Sequence, residues 1–157
     1  MKAEELFMQE AIRLAAENNK TGNGGPFGAV IVKNGKIIAR GHNEVTSSND
    51  PTAHAEIVAI RNACASLSSF QLDGCEIYSS CEPCPMCLGA IYWARPAKIY
   101  FAATRADAAD AGFDDSLIYQ EIALDPKQRL IPCEQILHNE ALDVFQTWLA
   151  NASKILY

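Results

Sequence analysis

Residues 4–19 place Phe7, Ala11, Leu14 and Ala15 on one stripe and Glu4, Glu17 and Asn18 off it, the spacing of an amphipathic helix. The polar run Asn18-Asn19-Lys20-Thr21-Gly22 ends it. Gly24-Gly25-Pro26-Phe27-Gly28 then leads into a strand, and reads either as a tight turn or as a loop whose backbone can approach a ligand closely. Two apolar runs, 29–33 and 36–40, flank Asn34-Gly35, the pair favoured in a type I′ turn, so they predict a β-hairpin that runs on to Gly41-His42-Asn43. Asn49-Asp50-Pro51-Thr52 carries capping residues and a proline, and predicts a helix over 53–65 with His54 in its first turn and Ile57, Ile60 and Ala63/Cys64 facing inward. A strand over 76–80, a helix over 84–94 and a strand over 98–102 follow. Strands alternating with helices of this length require crossovers, so the class is α/β, with a sheet covered by helices on its faces.

The C-terminal part is less regular. Residues 107–119 hold Ala-rich pieces around Gly112-Phe113-Asp114-Asp115, and a short helix is predicted from 115 or 116 to 121. A polar loop over 126–132, a short strand over 134–137 and a final amphipathic helix over 141–152, carrying Leu142, Phe145, Trp148 and Leu149, complete the chain. No repeat, linker or low-complexity segment interrupts it. With 157 residues, 49% of them hydrophobic, the chain suffices for one domain, 1–157, with a core of its own.

Chemistry concentrates where the strand at 76–80 gives way to the helix at 84–94: Cys81, Cys84 and Cys87 recur at intervals of three. Two thiols at i and i+3 on an opening helical turn share a face and can hold one ion, and the helix dipole favours thiolates there. His54 supplies a third ligand from another helix start. Glu56, two residues on, cannot share the face of His54, which suits it to reach a water beside the metal rather than the metal itself. Three protein ligands with a leftover carboxylate match a catalytic zinc site, which keeps one position open, whereas a structural site closes with four. Spacing alone leaves open whether Cys81 and Cys84 or Cys84 and Cys87 are the pair. The pattern His-x-Glu followed by Pro-Cys-x-x-Cys, the signature of zinc deaminases, selects His54, Cys84 and Cys87 as ligands and Glu56 as proton carrier. The plain alternative is a zinc-stabilised binding module, with Cys81 as fourth ligand and Glu56 merely solvated.

Charge and composition narrow the partners. Net charge is −6, and the densest cationic group, Lys33, Lys36 and Arg40, spans the hairpin, so a phosphate backbone is a poor substrate and a small neutral molecule a better one. No apolar run reaches membrane-spanning length and the start of the chain lacks a secretory pattern, so a cytoplasmic protein is expected, with Cys64, Cys75 and Cys133 reduced.

His54-Ala-Glu56 with Pro83-Cys-Pro-Met-Cys87 resembles the cytidine deaminase superfamily. Longer strings resemble its bacterial guanine deaminase branch: 25–32, 48–56, 80–96, Ala111-Gly-Phe-Asp-Asp-Ser116 and the terminal Tyr157. The resemblance implies a three-layer α/β/α fold with a central mixed sheet, one zinc per chain, and hydrolytic removal of the 2-amino group of guanine to give xanthine and ammonia. It also implies that Asp115 is a second acid/base near the exocyclic amine, although from the local sequence Asp114 and Asp115 read as a cap and a solvated first-turn carboxylate. Phe27, Asn43, Ala55, Trp93, Phe113 and Tyr157 would contact the purine, with Phe27 and Phe113 flanking it and Trp93 and Tyr157 lining the pocket of a neighbouring subunit. A homodimer with an exchanged C-terminal segment is therefore expected. Within the superfamily the rival substrates are guanosine, cytosine and tRNA adenosine.

Overall fold

The computed structural model describes residues 2–157. The hairpin forms as its Asn-Gly pair dictates: β1 (Gly28–Lys33) and β2 (Lys36–His42) are antiparallel, and Asn34 and Gly35 take φ of 51° and 70°. On its other edge β1 pairs antiparallel with β3 (Cys75–Cys81), which runs parallel to β4 (Lys98–Ala103), so the sheet order is β2-β1-β3-β4. A parallel step needs a crossover, and helix α4 (Pro85–Ala94) provides it.

Period-two alternation sends the strand residues to two cores. Val30, Val32 and Tyr78 face α1 (Ala3–Thr21), which packs Phe7, Met8 and Leu14 on them. Ala29, Ile31 and Ile77 face the opposite layer, built from Ala55, Ala59 and Ala63 of α3 (Ala55–Leu67) and Ile91 and Ala94 of α4. The mixed sheet with helices on both faces is the expected architecture. Gly41 sets the position of α3: a Cβ there would lie 2.2 Å from the Ala55 carbonyl oxygen, so only glycine lets the start of the helix come this close to the strand.

Several boundaries differ from the sequence expectation. Residues 45–48 form a short helix, α2 (Val45–Ser48), and Asn49, at φ 53°, closes it. The run Asn49-Asp50-Pro51-Thr52 is thus an end and a turn: Asp50 Oδ1 accepts from the Thr52 amide at 2.8 Å and hydroxyl at 2.6 Å. Because that turn uses up the chain to Ala53, α3 starts at Ala55 and His54 is its N-cap, not a first-turn residue. Asn18 is buried among the residues of α1 and not on its polar side. Another helix, α5 (Arg105–Asp110), lies where irregular chain was expected, begun by a reciprocal cap between Thr104 and Asp107.

One compact unit ends at Asp115; a second is Ser116–Tyr157. The second contains α6 (Ser116–Ile122), a 3₁₀ turn at Pro126–Gln128 and α7 (His138–Ala150). Arg129 donates to the Glu121 and Leu124 carbonyls, and the Leu130 amide donates to the Glu121 carboxylate at 2.7 Å, tying this stretch to the end of α6. Leu117, Ile118, Ile122, Leu130 and Ile131 line a groove of about 410 Å³ in this unit. Residues 134–137 are not the expected strand. A strand needs a partner's hydrogen bonds, and here Leu137 instead turns to φ 52° to start α7, three residues before the expected helix. Among the described residues no helix is long and apolar enough to cross a membrane.

Candidate active site

Two helix starts make the site. His54 caps α3 at φ −69°, ψ 156° and Cys84 caps α4 at φ −65°, ψ 168°, with Pro85 pre-set for the first helical position. The His54 side chain makes no capping bond to its own helix, as an N-cap normally does, and meets the Cys84 side chain instead. His54 Nδ1 lies 3.6 Å from Cys84 Sγ and 3.6 Å from Cys87 Sγ, and ligand atoms of all three residues fall within 4.8 Å of one another. A tetrahedral zinc with Zn–N of about 2.0 Å and Zn–S of about 2.3 Å would separate its nitrogen and sulfur ligands by about 3.5 Å, so the donor set fits that ion in spacing as well as in softness. Cys81 stands outside this group, its Sγ 3.6 Å from the Thr104 carbonyl oxygen.

Protonation in the cluster follows from crowding. The Cys84 thiol is drawn down to about 4, first by its contact with the Cys87 thiol and also by His54, against the cost of burial. Cys87 is correspondingly pushed up by that bond and by burial, and His54 is raised chiefly by its bond with Cys84. Two sulfurs whose protons compete in this way are suited to a shared cation that displaces both.

Glu56 is buried in the first turn of α3, outside the ligand group. Ser79 Oγ donates to its Oε1 at 3.1 Å and Cys87 Sγ to its Oε2 at 3.4 Å, while burial raises its affinity for a proton. Asp115 has Oδ1 3.9 Å from Arg105 Nε; burial raises its pKa, Arg105 opposes, and the negative charge of Cys84 raises it further, so it lies within the field of the cysteines. Asn43 is buried, and its Oδ1 accepts from the amides of Gly25 at 3.1 Å and Val45 at 3.2 Å. Phe27 and Phe113 meet edge to face with centroids 4.9 Å apart, so they form one aromatic corner with no base-wide gap between the rings. Ala55 is fully buried at the first position of α3, where a helix leaves its amide without an internal partner. Trp93 is 64% exposed at the end of α4 opposite Cys84, so α4 does not bring it to the cysteines of its own chain. Tyr157 belongs to the second unit and is 68% exposed.

Sequence reasoning missed Ser79 and Asn18. A signal existed for Ser79, which shares a strand face with the core residue Ile77 and is a polar residue in an inward position.

Residues 1–103 match the zinc-binding region of the cytidine and deoxycytidylate deaminases. Guanine deaminase of Bacillus subtilis (strain 168) is 58% identical over 153 residues, covering 98% of each chain. Its solved structure superposes with a TM-score of 0.95, again over 98% of each. The tRNA-specific adenosine deaminase of the same organism is 40% identical over 77% of this chain and 74% of its own. A structure solved with 2,6-diaminopurine is 35% identical, with a TM-score of 0.69 over 73% of this chain and 64% of that one.

Proposed function

The chain belongs to the cytidine and deoxycytidylate deaminase family, and we propose that it is the guanine-specific member: a zinc hydrolase converting guanine and water to xanthine and ammonia. The observation that carries this reading is the 58% identity to a guanine deaminase across 98% of the chain. The family model matches residues 1–103, whereas the 58% identity to the guanine deaminase runs over 98% of the chain and the 40% identity to the tRNA-specific adenosine deaminase over 77%, which supports guanine over tRNA adenosine as substrate. A net charge of −6 also disfavours an RNA substrate.

His54, Cys84 and Cys87 would hold the zinc ion. When bound, zinc supplies a Lewis acid that makes water easier to deprotonate, but two thiolates neutralise most of its charge, which leaves a protein base necessary. Glu56 is that base. Its carboxylate takes a proton from the attacking water and passes it to the ring nitrogen next to the reacting carbon; the bond from Ser79 and the burial beside Cys87 support the assignment by fixing where both oxygens point. Asp115 gives a proton to the departing amine and is restored by the remaining proton of the water oxygen, which is released as the new carbonyl forms. Asn43, with its oxygen occupied by backbone amides, offers its amide N–H groups to the base, and Ala55 offers the amide of the first residue of α3. The Phe27–Phe113 corner supplies the apolar wall.

We further read residues 1–157 as one functional deaminase domain that works as a homodimer, with the C-terminal segment exchanged so that Trp93 and Tyr157 line the pocket of a neighbouring subunit. The exposed Tyr92 and Trp93 of α4, and Ile131, Ile136 and Leu149 of the second unit, support this by presenting apolar surface in need of a cover. Six unpaired cysteines, two of them in the metal cluster, suit a reducing cytoplasm.

Ammonia release by the zinc-loaded protein from guanine, guanosine, cytosine, adenosine and a tRNA anticodon stem tests the substrate. Guanine should exceed every other compound in kcat/KM; preference for the anticodon stem would reassign the chain to tRNA editing.

A further inference from the structure

We propose that Asn18, one turn from the end of α1, is a positioning residue for the purine: it never touches the base, but sets the direction of Asn43 and the turn that carries Phe27. The inference rests on the guanine reading above and adds a residue to it.

Asn18 is 3% exposed, yet it is polar. Its Nδ2 donates to the carbonyl oxygens of Gly25 and Asn43, each at 2.8 Å. Its Oδ1 is buried without a partner. This fixes the orientation of the amide, because a flip would set an oxygen 2.8 Å from two carbonyl oxygens. A buried acceptor left unpaired is unfavourable. The two donations tie α1 to both segments at once.

Those segments are interlocked. The Gly25 amide donates to Asn43 Oδ1 at 3.1 Å, the Phe27 amide to the Gly25 carbonyl at 2.8 Å, and the Asn43 amide to the Phe27 carbonyl at 3.1 Å. The turn also lies directly on Asn43: a Cβ on Gly24 would sit 2.2 Å from the Asn43 carbonyl oxygen and 2.6 Å from its Oδ1. With Oδ1 bound by Gly25 and Val45, the Asn43 amide is fixed in orientation, and Nδ2 is the group it has to offer a base. Asn18 is the side chain that binds both halves of this loop pair from beneath.

Loss of Asn18 therefore acts on how the base is held. A group that binds substrate and transition state alike changes KM and not kcat, whereas simple destabilisation removes active molecules and lowers apparent kcat at constant KM. The test compares zinc-loaded wild type, Asn18→Ala, Asn18→Ser, which keeps one donor, and Asn62→Ala. The last removes a similar amide-to-carbonyl bond, from Asn62 Nδ2 to the Arg40 carbonyl at 2.9 Å, outside the network. Asn18→Ala should raise KM for guanine about tenfold, with kcat within about threefold and zinc content unchanged, and Asn18→Ser should fall between it and wild type. Asn62→Ala should leave KM alone. A KM for Asn18→Ala within about twofold of wild type, or an equal rise in Asn62→Ala, overturns the proposal. If Asn18→Ala does not fold, the serine variant decides by the same KM criterion. A wild type that prefers a different base sinks the guanine reading instead, and the Asn18 variants are then judged by KM on that base.

Discussion

The two compact units use the same kind of sequence to opposite ends. In the first, Ala29, Val30, Ile31, Ile77 and Tyr78 are 0% exposed, because each face of the sheet has a helix to cover it. In the second, Leu130, Ile131, Ile136 and Leu149 are 71%, 81%, 75% and 68% exposed, although α7 carries as clear an apolar stripe as α1. A stripe specifies that a face is to be buried without specifying what buries it. The first unit holds every residue assigned to zinc and proton transfer; the second contributes surface, and the dimer proposed above gives that surface its purpose.

The largest effect expected lies in the metal cluster of the first unit. Cys87→Ser should lose zinc and reduce guanine turnover by more than about a thousandfold, since water loses its Lewis acid. Cys81→Ser should keep one zinc per chain, because its sulfur is directed at the Thr104 carbonyl and not at His54. Zinc analysis of both purified variants checks this, and loss from Cys81→Ser alone would reverse the choice of pair.

Next in size are the proton carriers. Glu56→Gln should fold, bind zinc and lose about a hundredfold to ten-thousandfold in kcat, the range of general acid–base catalysis. An activity within about tenfold of wild type would remove Glu56 from the mechanism. Asp115→Asn should lower kcat about a hundredfold and Asp114→Asn distinctly less. Equal effects from the two would leave Asp115 without a role.

What was legible in the sequence divides along the same line. The ligands could be read because short-range spacing, two prolines and the His-x-Glu step lie within local stretches, and the hairpin because Asn34-Gly35 admits few alternatives. That His54 is a cap and not a first-turn residue was hidden, since the same residue types favour both positions. The start of α5 was written in Thr104 and Asp107, three apart, but the Ala-rich run around it obscured the cap. Asn18 continues the spacing of Ala11 and Ala15, yet its polarity set it off the apolar stripe in the sequence reading; the two carbonyl partners that hold it inward, of Gly25 and Asn43, lie in loops outside the helix. The strand expected at 134–137 failed because an apolar run does not reveal whether a pairing edge exists.

A smaller effect should separate the units by function. Deleting Leu156 and Tyr157 should raise KM and lower kcat by about tenfold in kcat/KM, as water enters an open pocket, with little change in melting temperature. Normal kinetics together with a large drop in melting temperature would make the tail a structural element and would overturn the role proposed for Tyr157.

The smallest expected effect belongs wholly to the first unit and concerns how α1 is fastened to the hairpin. Glu10 receives Arg13 from its own helix and Arg40 of β2, each at 2.7 Å. Its pKa falls from an ordinary 4.5 to about 2, first through the bond from Arg13 and then, against the cost of burial, through Arg40. A carboxyl whose folded value is depressed binds fewer protons folded than unfolded, so its stabilisation is complete above about 4.5 and is lost as the pH falls through about 2. The guanidinium side chains are 48% and 53% exposed, so solvent screens the pair and the gain is about 1 kcal/mol, not the larger figure the shift alone would give. Urea denaturation of wild type and Glu10→Gln should differ by that amount at pH 7, by less at pH 3.5, and by less again in added salt. A difference that stays constant across this range would mean that Glu10 stabilises the fold by packing its methylenes and not by charge.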